Sequence, residues 1–274
     1  MFDRSVKPVA HWFLRHWIRH DELVRIRQQI RYLSYAELLH RSQEDRDLSL
    51  FELSVFSQNG EDGIIHEIFR KIGSLNHTFV EIGASPNEAN SVLLADVFGW
   101  SGTFFDVSPS EISGLRSKYS NSDRVNVVEA FVTPSNIANL LRDASCPEGF
   151  DFLSIDVDGN DYWLWEAVEP FRPRVVVIEY NSAKGSQVNS VNKYQSESWD
   201  GTTDFGATLS AMIDLGDRLG YQLVHAETTG VNLFFVRKDQ FQENDFLSPS
   251  EVRTRIPNFY LYGLHHPNGK NSVE

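Results

Sequence analysis

A chain of 274 residues, 41% of them apolar, is long enough for one sizeable domain with a complete core. Its formal charge of −13 argues against a duplex nucleic-acid binder, which needs clustered Lys and Arg, and its single cysteine, Cys146, rules out an internal disulfide and fits a reducing, cytoplasmic setting. No apolar run approaches the ~20 residues of a membrane span, and in HWFLRHWI, residues 11–18, Arg15 and His16 interrupt what a signal peptide would keep apolar.

Residues 1–50 carry nine Lys/Arg against seven acids, whereas residues 51–274 carry sixteen against thirty-one. The composition shift divides the chain into an N-terminal helical extension (1–50), a main domain (51–240) and a C-terminal tail packed on it (241–274). Leu23, Ile26, Ile30 and Leu33 fall on one helical face. That face either packs on the main domain or serves as a lid or a homodimer contact. His11, His16, His20 and His40 lack acids or cysteines at ligand spacing, so they read as solvated or interfacial.

Beyond residue 75, apolar runs at 78–84, 102–108, 125–132, 150–157 and 174–181 alternate with helix-compatible segments at 90–98, 109–119, 135–144 and 160–168. Such alternation predicts a doubly wound α/β fold, a mostly parallel sheet covered on both faces. A loop at 182–205 precedes a helix striped by Leu209, Met212, Ile213 and Leu219 and stopped by Gly220. Two final strands, 221–227 and 232–238, are separated by only four residues, TTGV. So short a link forbids a parallel crossover, so the sheet ends in an antiparallel hairpin.

In open α/β sheets ligands gather beyond the carboxyl ends of the strands. VEIGASPNEANS turns at Gly83, and the helix from Asn90 could offer its first amides to an anion. The next strand ends in Asp106, placed either to accept ribose hydroxyls or to cap the helix near Pro109. SIDVDGND, residues 154–161, puts Asp156 and Asp158 where a strand opens into the crevice and Asp161 where it can cap the helix carrying Trp163 and Trp165. A calcium loop is excluded: counted from Asp156, glycine falls at position 4 and Ala167 at position 12. At the end of the following strand Glu179 and Asn181 share one side, and with Asp156 they would offer hard oxygen ligands to Mg²⁺.

In order and spacing, FSQNGEDGI (56–64), VEIGA (80–84), Gly99-Trp100 with Asp106, SIDVDGND, VVIEYN (176–181) and GVNLFFVRK (230–238) resemble the class I S-adenosylmethionine-dependent methyltransferases of the FkbM type. The resemblance spans roughly residues 54–238 and implies a Rossmann-like sheet of seven strands. It also implies that Glu81 and Gly83 lie against the methionine part of S-adenosylmethionine, that Asp106 holds its ribose, and that Ser57, Gln58 and Glu61 help close the pocket, with Asp156 beside them. The acceptor is then a small-molecule hydroxyl, on a sugar or secondary metabolite, with Glu179, Asn181 and Trp163 on its side. Neither nucleic acid nor a membrane is an expected partner.

Three readings of the acids stay open. Asp156, Glu179 and Asn181 hold a divalent metal; or Asp156 or Asp158 acts as general base without metal; or the acids are solvated rim residues. His66, His225, Trp165, Tyr180, Tyr194 and Trp199 are secondary candidates for a base or an acceptor wall. The turn at Gly83 continues as Ala84, Ser85 and Pro86 rather than with further glycines, which keeps a catalytically inactive Rossmann-like scaffold as the alternative.

Overall fold

Seven short, mostly apolar strands build the sheet: β1 (Thr78–Ile82), β2 (Ser101–Asp106), β3 (Val125–Glu129), β4 (Phe152–Ile155), β5 (Val175–Glu179), β6 (Tyr221–Ala226) and β7 (Asn232–Arg237). β4 and β5 are buried along their whole length, as strands covered on both faces must be. In the computed structural model, which describes residues 20–40, 45–185, 187–196 and 205–253, the strand order is β3-β2-β1-β4-β5-β7-β6. The pairings β3-β2, β2-β1, β1-β4 and β4-β5 are parallel, and β7 runs antiparallel to both β5 and β6. This is the Rossmann-like sheet expected, with one refinement. The antiparallel strand is not the edge; β7 inserts between β5 and β6.

The helices are α1 (His20–His40), α2 (Glu61–Ile72), α3 (Val92–Asp96), α4 (Pro109–Lys118), α5 (Ile137–Asp143), α6 (Asp161–Ala167), α7 (Leu209–Leu219) and α8 (Pro249–Arg253). Alternate strand residues separate two cores. Val80, Ile82, Leu153, Ile155, Ile178 and Phe235 pack with α5, α6 and α7 on one face. Phe79, Phe104, Phe152, Val177 and Phe234 pack with α2, α3 and α4 on the other. Trp165 and Tyr180 belong to the first core rather than to an acceptor wall.

The chain divides into two compact units, residues 1–42 and 43–274. Within the first, Ile26, Ile30 and Leu33 on α1 are exposed. No described helix is long and apolar enough to cross a membrane. His11, His16, Trp199 and the tail from 254 onward lie outside the described residues.

At the amino end of the sheet, Asp151 is fully buried and accepts the amides of Leu75, Asn76 and His77 at 2.7–3.0 Å, while Arg174 Nη1 meets it at 2.5 Å. The entry to β1 and the start of β5 are thereby fixed, which leaves the opposite, carboxyl end for function.

Candidate functional site

The strand order reverses between β1 and β4, and the crevice opens there. Gly83, one residue past β1, has φ +86° and donates its amide to the Phe105 carbonyl at 2.9 Å. A Cβ at this position would stand 1.6 Å from the Asp156 carbonyl oxygen, so only glycine lets the two strand ends approach. Beyond them lies a cavity of about 340 Å³ whose walls include Gly83, Asp106, Val107, Phe131, Asp156, Asp158 and Asn160. Its size is that of a small-ligand site.

Asp106 accepts the Ser108 amide at 2.6 Å through Oδ1, and burial raises its pKa. It both shapes the turn into α4 and faces the cavity. Ser108, not Asp106, is the N-cap residue of α4. Val107 and Phe131, 51% and 40% exposed, form an apolar rim that no motif in the sequence singles out. Phe131 lies in the stretch read as strand, but β3 stops at Glu129 and frees it to line the crevice.

The acidic stretch after β4 divides its labour. Asp161 is the first residue of α6 and does not cap it; its carboxylate turns back to accept the amides of Val157 and Gly159, both at 2.9 Å. That clamp holds Asp158 at φ +54° and Gly159 at φ +127°. Burial raises the Asp161 pKa to about 6. Asp156 is held well above the carboxylate range by burial, then by the charges of Asp161 and Asp158. Glu179 is raised by burial and by Asp156, and its buried Oε2 has no hydrogen-bond partner. Oxygens of Asp156, Asp158 and Glu179 lie within 4.8 Å of one another.

Asn181 departs from the expected geometry. β5 ends at Glu179, and Asn181 instead opens a 3-10 turn: Oδ1 accepts the Ala183 amide at 3.1 Å and Nδ2 donates to the Phe205 carbonyl at 3.0 Å. Three carboxylates, rather than two and an amide, therefore converge. Trp163 Nε1 donates to the Asn192 carbonyl at 3.0 Å, tying the loop after β5 to α6.

Glu81 faces away from the cavity. Its carboxylate, 3% exposed, accepts the amides of Asn90 and Ser91 at 2.8 and 2.7 Å, and burial raises its pKa to about 7. The amides expected to meet an external anion are thus satisfied from within. Ser57, Gln58 and Glu61 do not line the cavity either. Ser57 Oγ accepts the Asp62 amide at 3.1 Å, Gln58 is exposed, and Glu61 accepts the amides of Asn59 and Gly60 at 2.8 and 2.9 Å. His225 is buried against Glu52 Oε1 at 2.8 Å, His66 stacks on Phe98, and Tyr194 is 39% exposed. None of the three touches the cavity wall.

Residues 51–223, well over half of the chain, match the family described as the methyltransferase FkbM domain. Among solved structures, the N-terminal domain of EvdMO1 in the presence of SAH and D-fucose aligns at 12% identity over 65% of this chain and 82% of its own, with a TM-score of 0.45. An O-methyltransferase from Bacillus cereus in complex with SAH aligns at 16% identity over 83% and 95%, with a TM-score of 0.42. The mitomycin 7-O-methyltransferase MmcR aligns at 15% identity over 63% and 53%, with a TM-score of 0.36. These stand as resemblances only. No curated protein matches the sequence.

Proposed function

Because the chain belongs to the FkbM methyltransferases, we propose that it transfers the methyl group of S-adenosylmethionine to a hydroxyl of a small-molecule acceptor, of the sugar or secondary-metabolite class. One observation carries this reading: Gly83, Asp106, Asp156 and Asp158 come from three different strand ends and line a single cavity. A carboxylate has about four lone-pair sites, so Asp106 keeps capacity for ribose hydroxyls after accepting the Ser108 amide. Val107 and Phe131 offer apolar surface to a purine. The flush contact at Gly83 lets the cofactor lie against bare backbone. Ser57, Glu61 and Glu81 support the cavity by fixing the turns around it rather than by touching the cofactor.

When bound, the cofactor supplies an electrophilic methyl on a positively charged sulfur. The chain's part is to aim the acceptor oxygen and take its proton. Asp156 or Asp158, both in the cavity wall, suits the second task, with Glu179 beside them. Asp156, Asp158 and Glu179 also fit a hard divalent ion such as Mg²⁺, which would lower the pKa of the acceptor hydroxyl. Trp163 and Asn181 fix the loop that borders the acceptor side. The reading carries a cytoplasmic setting and self-association through the exposed α1 stripe.

Calorimetric titration with S-adenosylmethionine tests the proposal. Micromolar binding is expected, weakened at least tenfold in Asp106→Ala; no binding at millimolar cofactor would overturn it. Activity that persists after exhaustive chelation would remove the metal and leave Asp156 or Asp158 as the proton acceptor.

A further inference from the structure

Parallel strands covered on both faces read as unbroken apolar runs, and the first half of β2 departs from that rule. Thr103 and Ser101 lie two and four residues before Phe105, on the face of the sheet that packs with α5. In register, Thr103 meets Val80 of β1 and Asn126 of β3, and Ser101 meets Thr78. This face is therefore apolar towards the carboxyl end and polar towards the amino end. The Asp151–Arg174 pair closes the amino end beside β1, β4 and β5 but does not reach β2 and β3.

A second cavity, of about 220 Å³, opens over the polar corner. Ser101, Thr103, Asp123, Arg124 and Asn126 line it from the sheet side, and residues 144–147, which follow α5, close it from the other. It has no described wall residue in common with the crevice cavity. Its wall is rich in unmatched donors. Thr103 is 3% exposed, yet its hydroxyl has no hydrogen-bond partner among the described residues. The Ser101 hydroxyl, the Asn126 carboxamide and the Arg124 guanidinium have none there either. A buried hydroxyl without a partner destabilises a fold, and an acceptor brought in by a ligand relieves it. Arg124 carries five N–H donors and no ion pair in a chain whose formal charge is −13. A planar guanidinium with hydroxyl donors on the same wall matches a phosphate or a carboxylate. With about 220 Å³, the cavity falls below the ~300–1,000 Å³ of drug-sized ligand sites, so its ligand is small.

We propose that Ser101, Thr103, Arg124 and Asn126 form a second ligand site, for a small oxyanion of the phosphate or carboxylate type, at the end of the sheet opposite the crevice. Arg124 meets the charge, while the two hydroxyls and the carboxamide donate to the remaining oxygens. β2 runs from this corner to Asp106, and β3 runs from it towards Phe131, so the anion sits at the foot of two strands that end at the crevice.

The test uses the full chain without S-adenosylmethionine, in chloride buffer, and does not depend on the methyl-transfer reading. Calorimetric titrations with inorganic phosphate and with malonate, at matched ionic strength, tell the two oxyanion types apart. One site is expected for at least one of them. Arg124→Gln is expected to weaken binding at least tenfold, and Thr103→Val, which keeps the shape of the side chain, at least threefold. Asp123→Asn removes the single acid among these wall residues and is expected to tighten binding. Arg124 is exposed, so its variant reports on the site even where Thr103→Val fails to fold. No binding of either anion at tens of millimolar, binding that Arg124→Gln leaves undiminished, or binding that Asp123→Asn weakens would each overturn the site.

Discussion

At the scale of single residues, Gly83 shows how tightly the crevice is built. Gly73 has φ +66° and open space for 4 Å around the point where a Cβ would stand, whereas Gly83 has φ +86° and meets the Asp156 carbonyl. Alanine at Gly73, where ψ is 166°, should therefore cost only the strain of that glycine-favouring backbone, about 1–3 kcal/mol. Gly83→Ala adds a backbone collision and should cost more than about 4 kcal/mol. Urea unfolding of the two variants measures the difference, and equal midpoint losses would refute the collision. Gly83, Asp106 and Asp156 were legible in the sequence because each stands at or just past a strand end. Glu61, Glu81 and Asp161 hold backbone amides, and an acid that does so looks the same in sequence as one that faces a ligand. Glu81 reaches amides nine and ten positions on, and Asp161 reaches back four and two, distances no local pattern announces.

Among the elements, the loop after β5 is joined to α6 at two points. Trp163 Nε1 donates to Asn192, and the Asn160 side chain exchanges two hydrogen bonds with the Gln195 backbone at 2.8 and 3.0 Å. Asn160 also lines the cavity, so the loop rests on the rim of the site. Trp163→Phe keeps an aromatic ring but removes one bond, worth about 1 kcal/mol. Amide exchange in residues 187–196 should accelerate roughly fivefold, with cofactor affinity unchanged; exchange at the parental rate would show that the bond does not hold the loop. Element types and order were readable from apolar period and stop signals, as at Gly220, whose φ of +86° ends α7. The burial pattern within α7 was less so. Ala211, Leu215 and Gly216 are buried beside Met212, while Ile213 is only half-buried. Phe235 and Trp165 set that face, and a Cβ on Gly216 would meet Phe235 at 2.8 Å. Likewise TTGV dictated an antiparallel β6-β7 pair but could not say which member would lie against β5.

For the whole molecule, the row of buried acids at the sheet's carboxyl end makes stability depend on pH. Glu81 is raised from 4.5 to about 7 and Asp62 and Asp161 from 3.8 to about 6, while Asp156, Glu179 and Glu227 are raised well above the carboxylate range by burial and by neighbouring acids. The folded chain therefore holds more protons than the unfolded chain from pH ~4 upward, and stability falls as pH rises through the folded values. Glu81 alone contributes a loss of about 3 kcal/mol between pH ~4.5 and ~7. Urea midpoints measured without cofactor or added metal should be higher at pH 5 than at pH 8; the reverse order would contradict the burial of these acids. The insertion of β7 between β5 and β6 has a consequence for biosynthesis. During translation the edge of β5, apolar from Val175 to Ile178, stays bare until residues 232–237 emerge, some fifty positions later. A nascent chain stalled in that interval would expose a sticky border open to pairing with its neighbours on a polysome.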